Sequence, residues 1–148
     1  MNNYEVEPYV GIGPVKLGMT RREVRELMGE PSAVQDAYEK WGIKFPDKDY
    51  FYENCFQISY SERGTVNFIE ASMNFRYCVV YLGLDVHRTA ADKVISQIQK
   101  IASPDMTARE YPMNQLFPEI DVSIYREEME RIEAFGISIS GYRNKSIS

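Results

Sequence analysis

The chain repeats the order of its sequence elements once, at an offset of about 65 residues. Leu17-Gly18-Met19-Thr20 returns as Leu82-Gly83-Leu84-Asp85, and Phe45-Pro46 returns as Tyr111-Pro112. The alternating segment 56–62 has a counterpart at 122–127, with a small shift in register. Since a duplicated order favours two similar units around a shared core, we predict pseudo-repeats over residues 1–73 and 74–148 in one compact molecule.

Each repeat contains the pattern of one short amphipathic helix. Thr20 and Glu23 have capping-box spacing, so the first helix is predicted to begin at Thr20 and to stop at Gly29. Thr89 is predicted to be the N-cap of the second helix, which Pro104 terminates. Apolar residues at helical spacing are predicted to face the core. They are Val24, Leu27, Ile95, Ile98 and Ile101.

Extended segments follow each helix. Residues 56–60 and 74–82 alternate with period two, and residues 61–64 have the composition of a hairpin turn. Further strands are expected around 116–125 and 131–140, and Trp41-Gly42-Ile43 is expected to be extended because aromatic residues favour strands. The fold class is therefore α+β, with two tandem pseudo-repeats of a helix followed by antiparallel strands and both helices packed on one sheet face. The small, polar tail 141–148 is expected to fray.

Composition excludes several classes of function. The 148 residues carry a formal charge of −5, and the longest basic cluster is Arg21-Arg22, so a nucleic-acid binder is not expected. No segment approaches the roughly 20 apolar residues that cross a bilayer, and residues 1–5 lack the features of a secretion signal. We therefore expect a cytoplasmic protein without membrane contact, in which Cys55 and Cys78 are reduced and packed in strands.

Few residues carry catalytic chemistry. His87 is the only histidine, which excludes sites built on several histidines and leaves one conventional general base. Nothing near Cys55 or Cys78 indicates an activated thiolate, and their spacing does not suggest a metal site. Gly11-Ile12-Gly13-Pro14 lacks the third glycine of a dinucleotide fingerprint. We predict no catalytic residues, no metal and no cofactor.

The block from Gly11 to Pro31, with Gly18-Met19-Thr20, Val24 and Gly29-Glu30-Pro31, resembles the repeat of the β-lactamase-inhibitor-protein-like superfamily. The same corner is similar to that of small outer-membrane assembly lipoproteins of this fold. It also resembles cytoplasmic proteins that look like immunity proteins of bacterial toxin systems. The resemblance implies tandem helix-plus-sheet repeats and either protein inhibition or an assembly role.

Aromatic and acidic residues are interleaved along the chain. Eleven tyrosines exceed what a core of this size accommodates, because each buried hydroxyl requires a partner, so some must face solvent. Exposed aromatics beside carboxylates are typical of a surface that binds a basic protein. The predicted partner-binding residues are Trp41, Asp47, Asp49, Tyr50, Tyr52 and Glu53.

Three functions remain open at this point. The leading hypothesis is a non-enzymatic, immunity-type inhibitor that occludes a basic toxin such as a nuclease. The alternatives are a structural or assembly factor of the small-lipoprotein fold type and a hydrolase that uses His87. The sequence leaves open the identity of the partner, the sheet face that binds it, the oligomeric state and whether a small ligand is bound.

Overall fold

The structure, a computed structural model, describes residues 2–142. It is of mixed α+β type, with more strand than helix, and its helices are α1 (Arg21–Met28) and α2 (Ala91–Ile98). The strands, numbered β1 to β14 in chain order, are Asn2–Glu7, Gly11–Ile12, Val15–Lys16, Ala33–Gln35, Tyr38–Lys40, Ile43–Phe45, Asp47–Phe51, Phe56–Tyr60, Val66–Ser72, Tyr77–Tyr81, Leu84–Asp85, Asn114–Phe117, Val122–Tyr125 and Ala134–Ser138. Residues 143–148 of the predicted fraying tail lie outside the described range.

A seven-stranded antiparallel sheet forms the body of the protein, in the order β12-β13-β14-β9-β8-β7-β4. The pairing of β9 with β14 joins the two halves of the sequence, with Ile69 opposite Ile137. One row of side chains crosses five strands at the same level and is buried in the core. It consists of Phe117, Val122, Ile137, Ile69 and Ile58. Since alternate residues of a strand point to opposite faces, the same strands carry a second, more polar face.

A smaller sheet of order β11-β10-β1-β2-β3 completes the fold. Strand β1 pairs with β10 in parallel, so the N-terminal segment lies against a strand from the middle of the chain. The rings of Tyr4 and Tyr77 stack at this pairing, with their centroids 4.2 Å apart. Neither described helix is long and apolar enough to cross a membrane.

Helix α1 begins where the capping box predicted. The Glu23 amide donates to Thr20 Oγ1 at 3.2 Å, and the Thr20 amide donates to Glu23 Oε1 at 3.0 Å. The helix ends at Gly29, whose φ of 84° favours glycine. Val24 is fully buried as predicted, but Leu27 is exposed, so its assignment to the core is wrong. The reason is that the inward side of α1 is shared by Val24 and two arginines, which turns Leu27 toward solvent.

Helix α2 differs from its prediction at both ends. The N-cap is Ala90 with no side-chain cap, so the prediction of Thr89 as N-cap is wrong. A tertiary contact replaces the cap, because the Ala91 amide donates to the Glu130 carbonyl at 2.9 Å. Ile95 and Ile98 are buried as predicted, whereas Ile101 follows the end of the helix and is exposed, so its core assignment is wrong.

Most of the predicted strands are present, although their boundaries differ from the prediction. The region 74–82 contains β10, and 131–140 contains β14. The region 116–125 holds parts of two strands, β12 and β13, which are separated by a turn in which Asp121 has a φ of 48°. The prediction of an extended Trp41-Gly42-Ile43 is wrong at its first two residues. Both have positive φ, 54° and 75°, and form the two-residue turn between β5 and β6.

Candidate protein-binding site

The hairpin of β5 and β6, which we call the 38–45 hairpin, presents an exposed aromatic tip. Trp41 lies in its turn with 86% of its surface accessible. Tyr38 and Ile43 on the flanking strands are also exposed. The Tyr38 ring stacks on Phe45 with centroids 4.6 Å apart, and the Lys40 ammonium lies 4.4 Å from the centre of the Trp41 ring. Stacked rings stiffen the hairpin, so the tip is presented by an ordered support.

Two hydrogen bonds fix the base of the 38–45 hairpin to the large sheet. Gln35 Nε2 donates to the Pro46 carbonyl at 2.7 Å, and the Ala37 amide donates to Asp47 Oδ1 at 2.7 Å. Asp47 thus acts first as a support for the hairpin, although it stays partly exposed. Its carboxylate also lies 3.9 Å from the Arg21 guanidinium.

A groove of about 380 Å³ separates the hairpin from the corner between β8 and β9. Its hairpin wall carries aromatic rings, and its sheet wall carries polar groups. The lining residues are Ala37, Tyr38, Glu39, Lys44, Phe45, Pro46, Asp47, Tyr60, Ser61, Glu62 and Asn67. The side-chain oxygen Oδ1 of Asn67 is buried without a hydrogen-bond partner among the described residues. No pattern in the sequence points to Asn67, whereas the Trp-Gly turn pattern could have identified the hairpin.

Asp49 is completely buried, so its prediction as a surface contact is corrected. Its carboxylate accepts hydrogen bonds from Arg21 at 2.7 Å, from Arg25 at 2.8 Å and from the Tyr60 hydroxyl at 2.9 Å. Burial raises the pKa of Asp49, but the hydrogen bonds from Arg25, Arg21 and Tyr60 outweigh it and hold the pKa below its ordinary value. Asp49 therefore attaches α1 to β7, and its own carboxylate is not available to a partner.

The other predicted residues lie along the length of β7 and just beyond it. Tyr50 is partly exposed, and its hydroxyl lies 3.4 Å from Gln35 Oε1. Tyr52 is half-buried, with its hydroxyl 3.1 Å from that of Tyr4. Glu53 is exposed in the turn that follows. The structure thus places Trp41 at the tip of the hairpin and Asp47 at its base, while Tyr52 and Glu53 lie at the opposite end of β7.

His87 is buried beside a second cleft, of about 560 Å³. Its Nδ1 donates to the Ile132 carbonyl at 2.8 Å, and Nε2 has no partner among the described residues. Burial lowers the pKa of His87 and outweighs the hydrogen bond to Ile132, which raises it. The imidazole is therefore neutral at pH 7.

Neither cysteine lines the cleft beside His87. Cys55 and Cys78 are not joined in a disulfide, and burial raises the pKa of both, which keeps them protonated at neutral pH. Among residues 2–142, no group of three or more histidine, cysteine, aspartate or glutamate side chains is arranged to hold a metal ion. The described geometry thus provides no activated thiol beside His87.

Comparisons with protein-family models, curated proteins and solved structures found no match to this chain.

Proposed function

We propose that this protein is a non-enzymatic binding module of the immunity type, which occludes a basic toxin in the bacterial cytoplasm. The observation that carries the proposal is Trp41, an aromatic side chain 86% exposed at the tip of a hairpin that stacking and hydrogen bonds hold in place. Tryptophan leads the residue types found at binding hot spots, because it buries a large area at a small cost in side-chain entropy.

The charge around the hairpin supports a basic partner. Glu39, Asp47 and Glu62 line the groove together with one cation, Lys44. The whole chain carries a net charge of −5. Complementary charge raises the rate of encounter with a basic protein, and aromatic anchors then determine how long the complex lasts. The proposed inhibitor would approach a basic partner with the carboxylates of the groove and bind through Trp41.

We also propose that the fold is the tandem repeat of the β-lactamase-inhibitor-protein-like type. The order of the large sheet supports this arrangement, because β9 and β14 pair at its centre and the β7–β8 and β12–β13 hairpins flank them in mirrored order. Helices α1 and α2 precede these two sets of strands in the sequence. In this arrangement each helix covers the apolar face of its own half of the sheet.

Site-specific photocrosslinking tests the proposal in living cells of the source organism. A photoreactive phenylalanine analogue at position 41 should crosslink to one basic protein, and the same analogue at Met106 serves as the control because Met106 is exposed and does not line the groove. The purified partner should be toxic or enzymatically active, and stoichiometric addition of this protein should suppress that activity. Absence of a crosslink specific to position 41, or a partner whose activity is unaffected, would contradict the proposal.

The cleft beside His87 favours a second candidate, a hydrolase of small substrates. Its neutral imidazole has an unpartnered Nε2, which is the form that a general base requires. The substitution His87→Asn keeps a donor for the Ile132 carbonyl and removes the base. Hydrolysis of model esters or phosphoesters that this substitution abolishes would favour the hydrolase over the inhibitor.

A further inference from the structure

The groove between the 38–45 hairpin and the β8–β9 corner contains more hydrogen-bond acceptors than donors. From this imbalance we infer that it receives an arginine side chain of the protein partner, while Trp41 contacts the surface around that arginine. This inference rests on the proposed function, since it names the group that the basic partner would insert.

Asn67 supplies a buried acceptor at the sheet wall of the groove. The register between β8 and β9 shifts at Ser59/Tyr60, where Ser59 pairs with Phe68 and Tyr60 pairs with Val66, so Asn67 is the extra residue of a β-bulge. Bulges redirect a side chain that would otherwise follow the alternation of the strand. Asn67 Oδ1 is buried without a partner among the described residues, so a donor that reached it from the groove would compensate the cost of its burial.

Carboxylates provide charge around this acceptor. Glu39, Asp47 and Glu62 line the groove. Asp47 is engaged by the Ala37 amide and lies 3.9 Å from Arg21, which leaves Glu39 and Glu62 as the more available anions. Lys44 lies 3.8 Å from Glu62 in a pair whose side chains are 76% and 91% exposed. Such a pair is weak, so an incoming cation can compete with Lys44 for Glu62.

Aromatic rings form the remaining walls. Tyr38 and Phe45 present their stacked pair on the hairpin side, and Tyr60 lies on the sheet side. The Arg21 guanidinium lies 5.0 Å from the centre of the Tyr60 ring, so this protein already pairs a guanidinium with one of these rings. Arginine combines five donors, no acceptor and a flat face that stacks on aromatic rings. Lysine has a compact charge without that face, so the groove favours arginine.

The probe that tests the inference is N-acetyl-arginine amide, titrated into the isotope-labelled protein and followed by NMR. Its neutral isostere, N-acetyl-citrulline amide, is the control ligand. We expect saturable shifts at Tyr38, Glu62 and Asn67 with the arginine probe and none with the citrulline probe. Equal shifts with both probes, or no saturable shift at the groove, would overturn the inference. Shifts that depend on protein concentration alone would also overturn it, because a second copy would then fill the groove.

Substitutions at the groove, compared with a control elsewhere, locate the bound guanidinium. Asn67→Ala should weaken binding of the probe by about two- to tenfold, the range expected for one hydrogen bond. Asn54→Ala, at an exposed asparagine in the turn between β7 and β8, should leave binding unchanged. Lys44→Ala should tighten binding because it removes the competing cation.

If Asn67→Ala disturbs the fold, Glu62→Gln, at an exposed side chain, is used in its place and should also weaken binding of the probe. Unchanged affinity in folded variants at both positions 67 and 62 would overturn the inference.

Trp41→Ala separates this inference from the proposed function. Trp41 does not line the groove, so this variant should bind the arginine probe normally while losing affinity for the protein partner. If the Trp41→Ala variant keeps its affinity for both the probe and the partner, the proposed role of Trp41 is contradicted, and the probe still supports the groove assignment. If binding of the partner depends on Trp41 but the probe does not bind, only the arginine inference is contradicted.

Discussion

Asp49 illustrates how a single residue can be misread from its neighbours in sequence. It lies between Asp47 and Tyr50 in a polar, aromatic segment, so its composition indicates a solvated surface. The structure buries it, and Arg21 and Arg25 of α1 donate hydrogen bonds to its carboxylate. Sequence reasoning had no means of pairing residues 24 to 28 positions apart, which is why this carboxylate was assigned to a binding surface.

Asp49→Asn should destabilise the protein by about 1.5–3 kcal/mol, because it removes the buried anion that accepts hydrogen bonds from two partly exposed arginines. Urea denaturation followed by circular dichroism measures the loss. Glu26→Gln is the matched control, since it removes the carboxylate of the exposed Arg22–Glu26 pair and should change the free energy of unfolding little. Equal losses in the two variants would show that the Asp49 contacts do not stabilise the fold.

His87 makes stability depend on pH. Burial lowers its pKa in the folded protein, so below about pH 6.5 the unfolded chain binds a proton that the folded chain does not. The free energy of unfolding should therefore fall as the pH drops from about 7.5 to 5.5, a range in which no other side chain type ordinarily titrates. His87→Asn should flatten this dependence, as measured by denaturation at several pH values. An unchanged slope in the variant would contradict the assignment.

At the scale of elements, local signals predicted helix α1 better than helix α2. The capping box of α1 involves residues three apart and formed as predicted. In helix α2 the first amide, that of Ala91, instead donates to the Glu130 carbonyl, far away in sequence, so the start of the helix cannot be read from Thr89. The apolar period continued to Ile101, but the helix stops at Ile98. A periodic pattern identifies the inward side of a helix and does not determine its last residue.

The two isoleucines at the end of α2 give a direct test of this boundary. Ile98→Ala should cost about 2–5 kcal/mol of stability, because the side chain is fully buried and its removal leaves a cavity. Ile101→Ala removes the same atoms from an exposed position and should cost far less. Thermal or urea denaturation of both variants measures the difference. Similar losses would mean that Ile101 also packs in the core.

At the scale of the whole molecule, the sequence predicts both helices and several of the strands that follow them, but not strands β1 to β3 or the pairing of the strands. Alternation at 56–60 and 74–82 correctly indicated strands. Nothing local indicated that β10 pairs in parallel with β1 or that β9 pairs with β14, because these contacts join distant parts of the chain. The candidate site shows the same limit. Trp41 was singled out from the sequence, whereas the groove beside it depends on how residues 37–47 approach 60–67.

The proposed recognition of a partner through Trp41 is tested most directly by calorimetry with the purified partner. Trp41→Ala should weaken binding by about 2 kcal/mol or more, roughly 30-fold in Kd, because a hot-spot tryptophan is lost. Phe75→Ala is the matched control. Phe75 is 92% exposed and follows the last residue of β9, whereas Asn67 lies near the first residue of that strand. It should leave Kd unchanged. Equal affinities of the Trp41→Ala variant and the unaltered protein, with both folded, would contradict the proposal.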